Sequence, residues 1–377
     1  MITNLTIKNY KCHQNTNLVM KPLTILTGIN GFGKSSAIQS LLLLRQSHLK
    51  NRLNAGLDLN MPLVSVGIGN DALYKFASKP LITFVLGCED SKEYVFSFDA
   101  EKALTSSFIP LEKDGKLNVD IISSESLFNN GFQYISAFRE GGVSTFRKDN
   151  YAVEVLHQIS SELGKGDLVG HFLFKNQAMP TYNYLDGSDD LPLIDQVQSW
   201  ERKISPNITI NVEENSDKTG YVVKYGYVLD GKNTLNNLRA ENIGFGVSYT
   251  LPVIVALISA QQGDLVIIEN PEAHLHPEGQ IELGNLICKV AQRGVQVIVE
   301  THSDHIINAT QVACKIFNDF KGKDGINKDN VAIHFFGIKT DKYAASSQEV
   351  VLKSDGSIDY QPAGFFDTLE KTLYKLY

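Results

Sequence analysis

Between an apolar run and an apolar helical pattern the chain reads Gly28-Ile29-Asn30-Gly31-Phe32-Gly33-Lys34-Ser35-Ser36. This is G-x-x-x-x-G-K-[ST], preceded by a strand pattern over residues 23–26 and followed by a helix from about Lys34, the context that gives the motif meaning. Glycines at these positions let the backbone wrap an anion with its N–H groups turned inward. The helix that follows brings the positive end of its dipole to the same point. Lys34 is placed to reach the β- and γ-phosphates of a nucleotide and Ser35 to ligate Mg²⁺. A strand that feeds such a loop and helix belongs to an α/β sheet. Ile38, Leu41 and Leu42 share one helical face, and Leu43 and Leu44 widen it, so this helix packs on more than one side.

From about Gly244 the pattern alternates again: glycine loop, helix, strand (265–268), helix, strand (295–299). Within the second helix Leu283, Leu286, Ile287 and Val290 recur at i, i+3, i+4 and i+7, and Arg293-Gly294 ends it. Strands alternating with helices imply a mostly parallel sheet flanked by helices. The start of the chain (Leu5, Ile7) and residues about 82–99 read as an antiparallel β subdomain, with the polar turn CEDSKE. Another apolar run, Phe132 to Phe138, ends at Arg139. Residues about 140–240 are the least patterned and form a variable insertion. They hold a short helix near Leu193 to Trp200 and a hairpin, ITINVEE and GYVVKYGYVL, around NSDKTG. The tail reads as a strand (VAIHFFGI), a hairpin at SDGS and an amphipathic helix, FFDTLEKTLYKLY. These boundaries give domains of 1–325 and 326–377.

The strand Leu265 to Ile268 ends in Glu269-Asn270-Pro271-Glu272. Strands that serve a metal-bound nucleotide usually close on two acids, one for the metal and one to polarise water. An amide at Asn270 cannot accept a proton, so base help must come from Glu272, Glu300 or His302. Glu300 and His302 end the next strand, and in a parallel sheet both ends open on one edge. In the glycine loop GFGVSYTLP, Gly244 and Gly246 form a tight turn and Ser248 begins a helix, with Pro252 in its first turn. The loop is a second anion-binding helix start or a plain N-cap. His274, His276, His302 and His305 also admit a zinc reading.

Net charge is −7 over 377 residues, which does not favour a protein that coats nucleic acid, although a local basic patch stays open. Four scattered cysteines without a CxxC argue against a disulfide framework and fit a reducing cytoplasm. The longest apolar run, near Leu251 to Ala260, is too short to span a bilayer. No heptads or repeats are present.

Taken together, Gly28–Ser36, Gly244–Ser248, Glu269–Pro277 and Thr301-His302 resemble the ATP-binding-cassette (ABC-type) ATPases, in the branch with Rad50/SMC heads and OLD-family proteins. Four motifs stand in the expected order, firmly over the first fifty residues and about 240–310. ENPEAHLHP looks like the Walker B segment of the OLD-like group, and ETHSDHIIN like its histidine switch. The tail resembles a small C-terminal domain of unknown function found on some bacterial ATPases.

The resemblance implies a P-loop NTPase fold and head-to-tail dimers, or higher homo-oligomers, around two ATP molecules. Gly28, Asn30, Gly31, Gly33, Lys34, Ser35 and Ser36 would hold ATP. Ser35 and Glu269 would hold Mg²⁺, Gly246 and Ser248 would reach the partner's γ-phosphate, and His302 would be the switch. The coupling glutamine of the family has no clear counterpart, and coiled-coil arms are missing. OLD proteins often carry a Toprim-type nuclease after the ATPase, and too few residues follow 310 for one. The expected function is a slow ATPase switch controlling a separate nuclease or toxin in anti-phage defence. The alternatives are a DNA repair ATPase acting directly on DNA and, behind it, a transporter subunit.

Overall fold

The computed structural model describes residues 1–113, 122–185, 187, 189–229, 233–337, 344–362, 364 and 365. The chain divides into two compact units, residues 1–129 with 327–377, and residues 130–326.

In the first unit β1 (Ile2–Tyr10), β2 (His13–Val19), β4 (Leu81–Cys88) and β5 (Glu93–Asp99) form an antiparallel sheet in the order β2-β1-β4-β5. Strict alternation in LITFVLGC turns Ile82, Phe84, Leu86 and Cys88 inward. Phe84 meets Tyr10 and Phe98 edge to face, at 5.3 and 6.2 Å between ring centres. The expected polar turn joins β4 to β5, with Asp90 and Ser91 both at positive φ. A second set of strands carries the loop. In it β3 (Leu23–Gly28) runs parallel to β11 (Val331–Phe336), and β12 (Ser347–Val350) is antiparallel to β11. Helix α1 (Lys34–Leu49) leaves the loop buried on several sides, as its leucine run requires. The expected tail hairpin is present as a bridge between Leu352 and Ile358. The expected tail helix falls almost wholly outside the described residues.

In the second unit β6 (Phe132–Ile135), β9 (Leu265–Glu269) and β10 (Gln296–Glu300) are parallel, with β9 in the middle. All their residues are buried, which is why they read as largely apolar runs. The hairpin β7 (Ile208–Glu214) and β8 (Gly220–Leu229) forms in the register Ile208↔Tyr227 to Glu214↔Tyr221. Strands Thr145–Arg147 and Asn233–Leu238 add to β8. Helix α2 (Val169–Asn176) and helix α3 (Leu193–Ile204) lie in the insertion. Helices α4 (Phe245–Ser259), α5 (Pro277–Gln292) and α6 (Asp304–Asp319) alternate with the strands. No helix among the described residues is long and apolar enough to cross a membrane.

Helix α4 corrects one expectation. It begins at Phe245, so Pro252 lies two turns inside rather than in the first turn. Proline there removes the amide that would bond the carbonyl four residues back. Near the same stretch Thr250 donates its hydroxyl to the Gly246 carbonyl at 2.8 Å.

Packed against α4 is a carboxyl with no counter-charge among the described residues. Glu201 on α3 is fully buried, one oxygen 3.5 Å from the Thr250 hydroxyl and the other without a hydrogen-bond partner. Burial holds its pKa well above the usual carboxylate value of 4.5. A folded pKa above the unfolded one makes the carboxyl stabilising at low pH, and that contribution is lost as pH rises past 4.5. Glu201→Gln is therefore expected to raise stability at pH 8 by about 1–3 kcal/mol. At pH 4 the gain shrinks toward zero, as read by denaturant unfolding at both pH values.

Candidate functional site

The loop after β3 is shaped by three glycines at positive φ: Gly28 (125°), Gly31 (79°) and Gly33 (107°). At Gly28 a side chain is also excluded by space, since a Cβ would stand 2.0 Å from the Phe336 carbonyl oxygen. The Ile29 amide donates to that same oxygen at 2.8 Å. Lys34 arches back over the loop, its ammonium donating to the carbonyls of Gly28 and Ile29 at 2.9 and 3.0 Å. Asn30 and Ser35 are exposed and Ser36 is half-buried, at the start of α1.

Sequence reasoning missed the group that holds this loop. His13, at the start of β2, is fully buried, with Nε2 3.0 Å from the Gly33 carbonyl and Nδ1 2.9 Å from the Thr16 hydroxyl. A carbonyl only accepts, so Nε2 carries the proton and Nδ1 accepts from Thr16. Burial, against a weaker opposing effect of the Gly33 bond, pushes the His13 pKa down to about 4. Beside the loop a cavity of about 550 Å³ is lined by Lys11, Cys12, Gly31, Phe32, Tyr74 and Phe76 among others. Lys11 donates to Gln39 Oε1 at 2.6 Å. Aromatic side chains and a cation beside a phosphate loop suit a flat, electron-rich base. The lining comes from four separate stretches, so no spacing rule joins it.

In the second unit β9 and β10 end level, Glu269 opposite Glu300, both buried. The Glu269 pKa is pushed up to about 7, first by burial and then by the Glu300 charge. The Ala137 amide donates to Glu269 Oε2 at 3.3 Å, and the Tyr134 hydroxyl also bonds this carboxyl. Two adjacent hard oxygen donors whose charges repel are suited to a divalent cation such as Mg²⁺.

Asn270 has φ 44°, left-handed backbone that asparagine enters far more readily than glutamate. The backbone at this position therefore suits an amide better than a longer acid. Asn270 Oδ1 is buried without a hydrogen-bond partner. Glu272 accepts the His302 amide on Oε1 at 2.8 Å, while its Oε2 is buried and unpartnered. The His302 side chain is exposed.

The glycine loop sits in the same unit. Gly244 caps α4, and Gly246 lies inside its first turn rather than in a turn before it. A Cβ on Gly246 would approach the His274 carbonyl oxygen to 2.7 Å. Ser248 is buried in the next positions of the helix rather than at its start, accepting from the Gly142 amide at 2.8 Å and donating to the Phe245 carbonyl at 3.1 Å. Arg139, noted in the sequence only as the end of an apolar run, is buried among these segments.

The zinc reading does not hold. His274 stands edge-on to Phe245 and Tyr249, at 4.7 and 4.9 Å, and His276 caps α5 by accepting from the Glu278 amide. His305 lies 3.6 Å from Asp304 in its own turn. Among the described residues no group of three or more His, Cys, Asp or Glu side chains is placed to hold a metal ion.

Residues 23–308 match the family model described as "AAA domain, putative AbiEii toxin, Type IV TA system". Residues 326–376 match a protein of unknown function (DUF3696). Similar proteins include OLD nuclease of Thermus scotoductus, 24% identical over 341 residues, covering 80% of this chain and 59% of that protein. Old nuclease of Escherichia phage P2 is 21% identical over 406 residues, with 93% and 67% covered. The chain thus spans well under two thirds of the first of these nucleases. The fold is similar to an SMC head bound to the C-winged helix domain of ScpA, with TM-score 0.51 at 13% identity and 93% and 98% of the two chains covered. It is also similar to an SMC head domain with an extended coiled coil, bound to the C-terminal domain of ScpA from Pyrococcus furiosus. There the TM-score is 0.50 at 10% identity, with 100% and 99% covered.

The His13 contacts are open to test. A folded pKa of about 4 against 6.5 when free makes neutral His13 stabilising above pH 6.5, and the contribution fades as pH falls toward 4. Over that window wild type is expected to lose on the order of 3 kcal/mol more than His13→Gln. Urea unfolding across pH 4–7 would show it.

Proposed function

The chain belongs to the AAA-domain family just described and has the P-loop fold of an OLD-like ABC-type ATPase, and from that premise we propose an ATP-hydrolysing dimeric switch. Its output is a separate effector, a nuclease or toxin, in bacterial anti-phage defence. The observation that carries the nucleotide reading is the loop of residues 28–35, whose glycines take the required backbone and whose lysine already lies along it.

In this reading the loop amides and Lys34 hold the phosphates, and Ser35 and Glu269 take Mg²⁺. Mg²⁺ would neutralise phosphate charge, and Glu269 must be ionised to serve it. Gly246 and Ser248 would face the γ-phosphate held by a second copy. For that the Ser248 hydroxyl must exchange its bonds to Gly142 and Phe245, or the helix amides alone must serve. Among the proposed bases Glu272 is favoured over Glu300 and His302, because one of its oxygens is buried and unpartnered. It also anchors the His302 amide, which ties the switch histidine to the base. The relatives are themselves named nucleases and the family description names a putative toxin, and the proposed effector is drawn from those two classes.

Lys34→Ala is expected to abolish both ATP binding and turnover, and retained binding would sink the nucleotide reading. Glu272→Gln is expected to lower kcat about 10²-fold or more with ATP affinity preserved. Asn270→Glu is expected to cost stability of about 1 kcal/mol through its left-handed backbone. If it also leaves turnover unchanged, position 270 is not the slot for the catalytic acid. Co-purification at native expression tests the effector. A DNA affinity that falls steeply with salt would instead favour direct action on DNA.

A further inference from the structure

A guanidinium offers five N–H donors in a fixed planar fork. Those of Arg139 all go to main-chain carbonyls. Nε donates to Tyr249 at 2.9 Å. Nη1 donates to Ser136 at 3.0 Å and to Glu269 at 2.8 Å. Nη2 donates to Asn270 at 2.8 Å and to Pro271 at 3.3 Å. These carbonyls lie just past β6, in α4, and at the end of β9 with the turn that follows it. The guanidinium also stands 4.0 Å over the Tyr249 ring. The Tyr249 hydroxyl donates to the Ala137 carbonyl at 2.7 Å and closes the circuit.

No carboxylate shares these bonds, so the cation is held by carbonyl dipoles and acts on backbone geometry. Its two shortest bonds, both 2.8 Å, go to Glu269 and to the left-handed Asn270. The same plane reaches Tyr249, three residues along α4 from Gly246 and next to Ser248. A lysine in this place would keep the charge but not span the three segments.

We propose that Arg139 is a positioning residue that couples the glycine-loop start of α4 to the turn bearing Glu269 and Asn270. The proposal rests on the ATPase reading above. Movement of α4 carries Tyr249, Tyr249 carries the guanidinium, and the guanidinium resets the carbonyls of residues 269–271. Engagement of the helix start is in this way delivered to the acids.

The test compares wild type, Arg139→Lys and Tyr249→Leu by equilibrium binding of a fluorescent ATP analogue, by kcat and KM for ATP, and by thermal unfolding. A lost transition-state alignment predicts that Arg139→Lys binds the analogue within about twofold of wild type, with KM similarly unchanged. Its kcat is expected to fall about 10²-fold, as for a misplacement of about 1 Å. Tyr249→Leu keeps Arg139 but removes the ring beneath it and the bond to Ala137, and kcat should fall by less. If Arg139→Lys does not fold, Tyr249→Leu decides on the same readouts. Wild-type kcat in the folded variants overturns the coupling role and leaves Arg139 a structural clamp. So does a fall in kcat matched by an equal loss of ATP affinity. A wild-type protein that neither binds nor hydrolyses ATP refutes the ATPase reading, and the coupling with it, which the wild-type arm alone reveals.

Discussion

A strand covered on both faces has nowhere along its length to do polar work. The residues of β9, β10 and β11 are all buried, as is β3 up to its last residue. Polar chemistry is pushed to the carboxyl ends, where the covering helices stop. In the first unit that end is Gly28, the start of the anion loop. In the second it is the level pair Glu269 and Glu300. The exile is incomplete, because both carboxyls stay buried, and the raised pKa of Glu269 is the direct result.

What could be read from the sequence is what is local in the chain. The loop of residues 28–35, the hairpin of β7 and β8 and the helix carrying Leu283 to Val290 each need only neighbours a few residues apart. Groups acting across distance could not be read. His13 supports a carbonyl 20 residues away, and Arg139 reaches carbonyls 110 to 132 residues away. Neither distance leaves a spacing signature. Strand Thr145–Arg147 exists because β8 offers it an edge, and its own residues show no alternation long enough to announce it. Pro252 misled for a related reason: its usual place at a helix start was outweighed by the packing of α4, which continues through it.

Position 270 shows how a motif can mislead when it is read as chemistry alone. The turn after β9 folds back at once, its amide bonding the Glu300 carbonyl at 2.8 Å, and the backbone must go left-handed to do so. Asparagine answers that demand more readily than a longer acid would. Glu201 is a comparable case in the core, where a carboxyl sits at a position that burial alone would give to an apolar side chain. Glu201 is a local conflict between type and setting, and both residues lie in or against the segments that carry the proposed chemistry.

Gly246 bears on the mechanics of this region. With no side chain between them, the first turn of α4 and the backbone at His274 approach to a spacing that even a methyl group would violate. Contacts made through long side chains absorb displacement by rotating a few torsions. Two backbones in direct contact have no such compliance, so they behave as a short rigid strut. A displacement of the helix start toward His274 therefore has no side chain between the two backbones to absorb it.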